Sequence, residues 1–135
     1  MIEYLDSAGD PNDLVQELRD KLDLLQSKLG LKIVVTSGYR PQSDGSQHQL
    51  GKAADIIVPS MGSLLSLYHT AESCGFTGIG IYPDWRFNGQ KIGGIHVDVR
   101  DHQGPHAKWM GISQGGGKQI YIALNDENLQ KFGVV

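Results

Sequence analysis

The sequence has one cysteine, Cys74, so no internal disulfide can staple the chain. Its setting in a helical run beside Gly75 fits a small buried hydrophobe better than a nucleophile. Long apolar runs are also missing. No stretch suffices to span a bilayer, and the acidic opening MIEYLDSAGD lacks the basic segment and apolar run of a secretory signal. The expectation is a product made in the cytoplasm without a signal peptide, or one piece of something longer. Positive charge is not in excess either. Twelve Lys and Arg against fifteen Asp and Glu leave a net charge of -3, which argues against a nucleic-acid binder. No internal repeat or linker interrupts the 135 residues, a length that suits one domain, 1–135, with its own core.

What is present reads as an alternation of helices and short strands. Asp10-Pro11-Asn12-Asp13 has the capping residues and proline of a helix entry. Leu14, Leu18, Leu22, Leu25 and Leu29 then recur at helical spacing, a core stripe that Gly30 ends. Ile33-Val34-Val35 predicts a strand delivering Ser37 to Arg40, and the loop from Pro41 to Gly45 lets His48 reach a cleft from a short helical turn. Asp55 leads into the apolar run Ile56-Ile57-Val58, stopped by Pro59, and Met61 to Cys74 reads as a second helix. His69 within that helix is a surface or core residue. Gly78 to Pro83 is a glycine-interleaved strand whose missing side chains would let another segment or a peptide approach the backbone.

Further on, Asp84 to Gly89 predicts a hairpin turn with Asn88-Gly89 at its corner. Trp85 and Phe87 could wall a groove there or pack on their own sheet. Lys91 to Arg100 is the next strand. Asp101 to Gly111, with His102, His106 and Trp109, reads as a polar loop, and Gly115-Gly116-Gly117 as a flexible connector. Ile120 to Leu124 suits a last edge strand and Asn125 to Phe132 a closing helix.

Metal-ligand chemistry concentrates between Ser37 and Asp55. His48 and Asp55 stand seven positions apart, and neutral imidazole and carboxylate both suit a borderline cation such as zinc. A catalytic zinc takes three protein groups and leaves one position open, so a third ligand is needed. Its source is the segment IGGIHVDVR, where the period of two puts His96 and Asp98 on one face.

These residues carry a resemblance. Ser37-Gly38-Tyr39-Arg40, then Ser46, His48, Gly51, Ala53 and Asp55, then His96 and Asp98, resemble the peptidase M15 family of metallopeptidases acting on D-alanyl peptides, which shares its fold with the signalling domain of Hedgehog proteins. The resemblance spans roughly Lys32 to Arg100. It implies an α+β fold with a small central antiparallel sheet flanked by helices. It also implies zinc held by His48, Asp55 and His96, and an arginine, Arg40, that binds a substrate carboxylate or stabilises the oxyanion. Ser46, Tyr82 and Trp85 are the further candidates for contacting substrate.

One departure stands out. The better-known branches place an acidic base a few positions before the last histidine, and here Gly93 and Gly94 stand there. Asp98 is the nearest replacement as catalytic base; its other role is to orient a histidine or to pair with Arg40 or Arg100. The expected function is a zinc peptidase that cuts beside D-alanine in peptidoglycan stem peptides and works as a monomer at the bacterial wall, and the lack of a leader suits a bacteriophage lysis or virion protein. The alternatives are a non-catalytic module of a tail or envelope assembly that keeps the metal, and a chain that uses zinc only for stability.

Overall fold

The computed structural model describes residues 1–134, an α+β arrangement in which one seven-stranded sheet carries its helices against a single face. The chain opens with β1 (Ile2–Tyr4), passes through two 3-10 turns, Asp6–Ala8 and Pro11–Asp13, and enters α1 (Gln16–Leu29). The helix entry expected at Asp10 is thus a 3-10 turn. The Asp10 carboxylate accepts from the Asn12 N–H at 2.9 Å and caps that turn, while α1 starts five residues after Pro11 without a side-chain cap. Leu18, Leu22 and Leu25 are wholly buried, each worth roughly 1.5–3 kcal/mol of apolar burial. Leu14 is buried just ahead of the helix and Leu29 half-buried at its end. Gly30 stops α1 at a φ of 65°, its N–H bonded to Gln26 O at 2.9 Å.

After α1 come β2 (Ile33–Ser37), β3 (Ala53–Ile57), α2 (Leu64–Glu72), β4 (Gly78–Tyr82) and a small hairpin of β5 (Arg86–Phe87) and β6 (Gln90–Lys91). Then follow β7 (Gly94–Asp98), a longer hairpin of β8 (Ala107–Gly115) and β9 (Lys118–Ala123), and α3 (Asp126–Lys131). The spatial order is β1-β2-β3-β7-β4-β8-β9. β1 and β2, and β4 and β8, pair in parallel; the remaining neighbours are antiparallel. The sheet is therefore larger than expected and mixed rather than antiparallel. One parallel pair arises because α1 carries the chain back over the sheet between β1 and β2. The other arises because β7 is inserted on the far side of β4, leaving β8 to enter in the same direction as β4.

Several boundaries differ from the expected ones for local reasons. The polar loop after Arg100 ends at His106, and Ala107 onward is strand: Met110 and Ile112 turn into the core while Trp109 and Gly111 turn the other way. Gly115-Gly116-Gly117 is the corner of the β8–β9 hairpin, all three at positive φ, rather than a flexible connector. The strand expected from Lys91 to Arg100 is broken at Ile92-Gly93 into β6 and β7, and α2 begins only at Leu64, capped by the Ser63 hydroxyl. The Asn88-Gly89 corner forms as expected, with φ of 51° and 79°. β9 is the edge strand anticipated near Ile120, and α3 closes the chain behind an Asn125 cap.

Alternation along the strands separates two faces. Ile79, Ile81, Ile95 and Val97 pack toward α1 and α2. Their neighbours Gly78, Gly80, Tyr82, Gly94, His96 and Asp98 point to the opposite face. Among the described residues no helix is long and apolar enough to cross a membrane.

Candidate metal centre

Strand register assembles the site. Asp55 on β3 is the cross-strand partner of His96 on β7, His96 pairs with Gly80 on β4, and Gly80 pairs with Trp109 on β8. One row of the helix-free face thus presents a carboxylate, an imidazole, an empty position and an indole. His48 reaches the same place from the segment between β2 and β3. That segment is a run of tight turns rather than the helical turn expected, with Ser43, Ser46, Gln49 and Gly51 each donating to the carbonyl three residues back. Its base is tied by Arg40 N–H to His48 O at 3.0 Å. Gly51 closes it at a φ of 70°, where a Cβ would strike Asp13 O, so backbone crowding excludes a side chain.

The ligand atoms of His48, Asp55 and His96 lie within 4.8 Å of one another. His48 Nε2 is 3.3 Å and His96 Nδ1 3.0 Å from Asp55 Oδ1, and the two rings meet edge-on with centroids 5.1 Å apart. The outer nitrogens settle the tautomers. His48 Nδ1 is 2.8 Å from Gly38 O, and a carbonyl only accepts, so this nitrogen carries the proton. His96 Nε2 is 2.7 Å from Asp98 Oδ2, again an acceptor. Both inner nitrogens are therefore left with lone pairs aimed at a carboxylate oxygen. Three lone-pair donors at these distances repel unless a cation lies between them, whether a proton or a metal ion. The trio fits a divalent metal, and the Gly38 carbonyl and Asp98 are the outer partners that fix the two rings.

Without a metal, protons take that place. Burial would raise the Asp55 pKa, but hydrogen bonds with His48 and His96 outweigh it and hold the carboxyl at about 2. Burial pulls the His96 pKa down, and the flanking Asp55 and Asp98 carboxylates more than reverse this and leave it raised. Asp98 itself has no accessible surface. Burial disfavours its charge, yet bonds with His96 and Arg100 hold its pKa well below the usual carboxylate range. Arg100 grips it through Nε at 2.9 Å and Nη2 at 2.6 Å, and its backbone N–H adds a third bond at 3.2 Å. Asp98 thus lies beyond the imidazole, on the side of His96 away from Asp55, with its oxygens occupied.

The wall beside this cluster is aromatic. Trp109 packs 5.2 Å from the His96 ring, Arg100 sits 5.1 Å over the indole, and Trp109 Nε1 donates to the Tyr82 hydroxyl at 2.9 Å. Tyr82 in turn stacks on Trp85 with centroids 4.3 Å apart. The glycines make room for this wall. A Cβ on Gly80 would lie 2.5 Å from Trp109 Nε1, and one on Gly78 or Gly111 would overlap Asp98 or Tyr82. The open backbone of β4, expected to let another segment or a peptide approach, is approached by other segments of the chain, through Asp98 and Trp109.

Together these residues surround a cleft of about 810 Å³. Arg40, Ser46, Tyr82 and Trp85 all line it, as do the three ligands; Phe87 does not. Ser46 spends its hydroxyl inside the loop, donating to Ser43 O at 2.8 Å, whereas the Arg40 guanidinium makes no ion pair among the described residues. His102 and His106 face each other in the exposed loop, outside the ligand cluster, and His69 is exposed on α2. Cys74 is buried, and burial pushes its thiol pKa up. Trp109, Arg100, Gln119 and Tyr121 also line the cleft and were not anticipated there. The alternation in Trp109-Met110-Gly111-Ile112 was the signal for the first of them.

No curated protein matches the chain. The family model described as Peptidase M15 matches residues 3–98, a span that contains His48, Asp55, His96 and Asp98 and stops short of β8 and β9. With that match covering well over half of its length, the chain belongs to the peptidase M15 family.

Proposed function

We propose that the protein is a zinc-dependent peptidase that hydrolyses an amide next to D-alanine in the stem peptides or cross-links of peptidoglycan, on a fold of the Hedgehog and D-alanyl peptidase type. The observation that carries the reading is the pair of imidazole lone pairs converging on Asp55 Oδ1 at the floor of an open cleft. A zinc ion held by His48, Asp55 and His96 would supply Lewis acidity, activating water and polarising the scissile carbonyl. Hydrolysis adds water across the C–N bond and leaves a carboxylate and an amine.

The remaining roles fall to the chain's own residues. Arg40, exposed at the cleft without a carboxylate partner, binds the substrate's carboxylate. Trp85 and Tyr82 flank the peptide, and Ser46 shapes the loop that presents His48. Asp98 orients His96; its committed oxygens and its place behind the ring favour this over the role of proton acceptor. The wall of a bacterium is the proposed place of action, reached by a monomer that a bacteriophage would encode.

A second reading has one observation in its favour. Asp55 is the only acidic side chain lining the cleft among the described residues, and it is a ligand, so no uncommitted carboxylate stands ready as base. That suits a non-catalytic module that holds the metal and binds the wall. Metal analysis joined to the release of D-alanine or new amines from purified peptidoglycan separates the two. Turnover lost on chelation and in His96→Ala supports the peptidase; bound zinc with no turnover on any wall type supports the module.

A further inference from the structure

The aromatic wall holds one polar atom whose bonding is half complete. Indole N–H only donates, so in the 2.9 Å contact between Trp109 Nε1 and the Tyr82 hydroxyl the phenol oxygen is the acceptor. The phenol's own proton has no acceptor among the described residues, and the side chain lines the cleft. Its position is tightly fixed. Trp85 stacks on the ring within 10° of parallel, Gly111 lies beneath it, and Trp109 is itself pinned over Gly80 and against His96. The hydroxyl therefore stands above the strand next to His96, on the flank of the ligand cluster opposite Asp55 in the row.

From this geometry we propose that Tyr82 is a catalytic residue, whose hydroxyl donates a hydrogen bond to the carbonyl oxygen of the scissile amide as negative charge develops on it, with Trp109 as its positioning residue. The inference rests on the peptidase reading for its substrate. A donor fixed in advance of the reaction at a partly dry site is the arrangement that lowers such a barrier most. A phenol is protonated at neutral pH in any case, and burial, with smaller help from Tyr121 and Asp55, pushes this one further up to about 12. No proton leaves Tyr82 in this role; it lends the hydrogen bond and keeps it through the step.

Zinc-loaded wild type, Tyr82→Phe and Trp109→Phe are compared in two measurements: turnover on purified peptidoglycan, and calorimetric binding of a phosphinate analogue of D-alanyl-D-alanine, whose tetrahedral anion mimics the charge that develops on the scissile carbonyl. Tyr82→Phe is expected to lower kcat by about 10²- to 10³-fold with KM within threefold. Phosphinate affinity should fall by at least tenfold, with zinc content unchanged and the melting temperature lowered only by what the lost Trp109 hydrogen bond costs. Trp109→Phe, which keeps a ring against His96 but loses the N–H, should show a smaller loss in kcat. A wild type without turnover that still binds phosphinate in a Tyr82-dependent way would sink the peptidase reading and uphold the donor. Phosphinate binding that is absent in wild type, or unchanged in Tyr82→Phe, overturns the proposal.

Discussion

Asp55 and His96 lie 41 residues apart in sequence and directly opposite each other in the sheet, so that pairing β3 with β7 places Oδ1 and Nδ1 at 3.0 Å. The distance between them is a property of strand register. A slip of one residue would send one of the two to the helix-covered face. Metal binding and sheet formation are therefore linked, and disturbances of either should be felt in the other.

Asp98→Asn keeps the size of the side chain but weakens its hold on His96 Nε2 and on Arg100. Zinc affinity should fall by about 10- to 100-fold, the range found for outer partners of metal-bound histidines. Competition with a chromophoric chelator at pH 7 measures it, and an affinity within twofold of wild type would refute the orienting role.

The metal-free protein should have a melting temperature that falls on both sides of a mildly acidic optimum. His96 has a raised pKa when folded, so its stabilisation is complete below its unfolded value of 6.5 and is lost as pH climbs through the folded one. Asp55 and Asp98 have lowered pKa values, so theirs is complete above 3.8 and lost as pH falls. The window of highest stability is thus roughly pH 4 to 6.5. Zinc needs the imidazoles unprotonated, so the rise in melting temperature on adding it should grow from pH 5.5 to 8, about where histidine deprotonates. Scanning calorimetry with and without a chelator gives both curves.

Gly51→Ala should destabilise the protein and loosen its metal together. The residue holds a φ of 70° and its Cβ would meet Asp13 O, so relief requires the turn carrying His48 to move. A loss of about 1–3 kcal/mol in urea unfolding is expected. Gly45, at a φ of 77° with open space around it, is the control for strain alone.

Leu22→Ala in the middle of α1 should cost about 2–5 kcal/mol by leaving a cavity on the far side of the sheet. Zinc stoichiometry of the folded fraction should remain that of wild type. Loss of zinc in protein that is still folded would mean that the helix layer reaches the cluster more directly than the contacts indicate.

The trio of His48, Asp55 and His96, a group that could hold a metal, was readable in the sequence because its residue types are chemically narrow and its segments carry a clear period. His96 and Asp98 alternate with Val97 and Val99, and that alternation alone orients them. The leucine stripe of α1 was readable for the same reason. What could not be read was position in the sheet: nothing local in Gly78 to Tyr82 says that β4 sits between β7 and β8, or that its glycines serve Asp98 and Trp109. Trp109 was assigned to a loop because the eight polar and small residues ahead of it, Asp101 to Lys108, dominate the local composition. The division of labour in His-Val-Asp, one side chain at the cluster and the other behind it, depends on which imidazole nitrogen faces which carboxylate, and periodicity carries no such information.

The family match ends at Asp98, while Trp109, Gln119 and Tyr121 come from the hairpin beyond it. Residues inside and outside the matched span therefore meet in one hollow. The matched portion carries the candidate ligands, and the β8–β9 hairpin, joined to the sheet through β4, supplies the far wall of the cleft. Substitutions in this hairpin should therefore reshape the mouth of the hollow while leaving His48, Asp55 and His96 where they are.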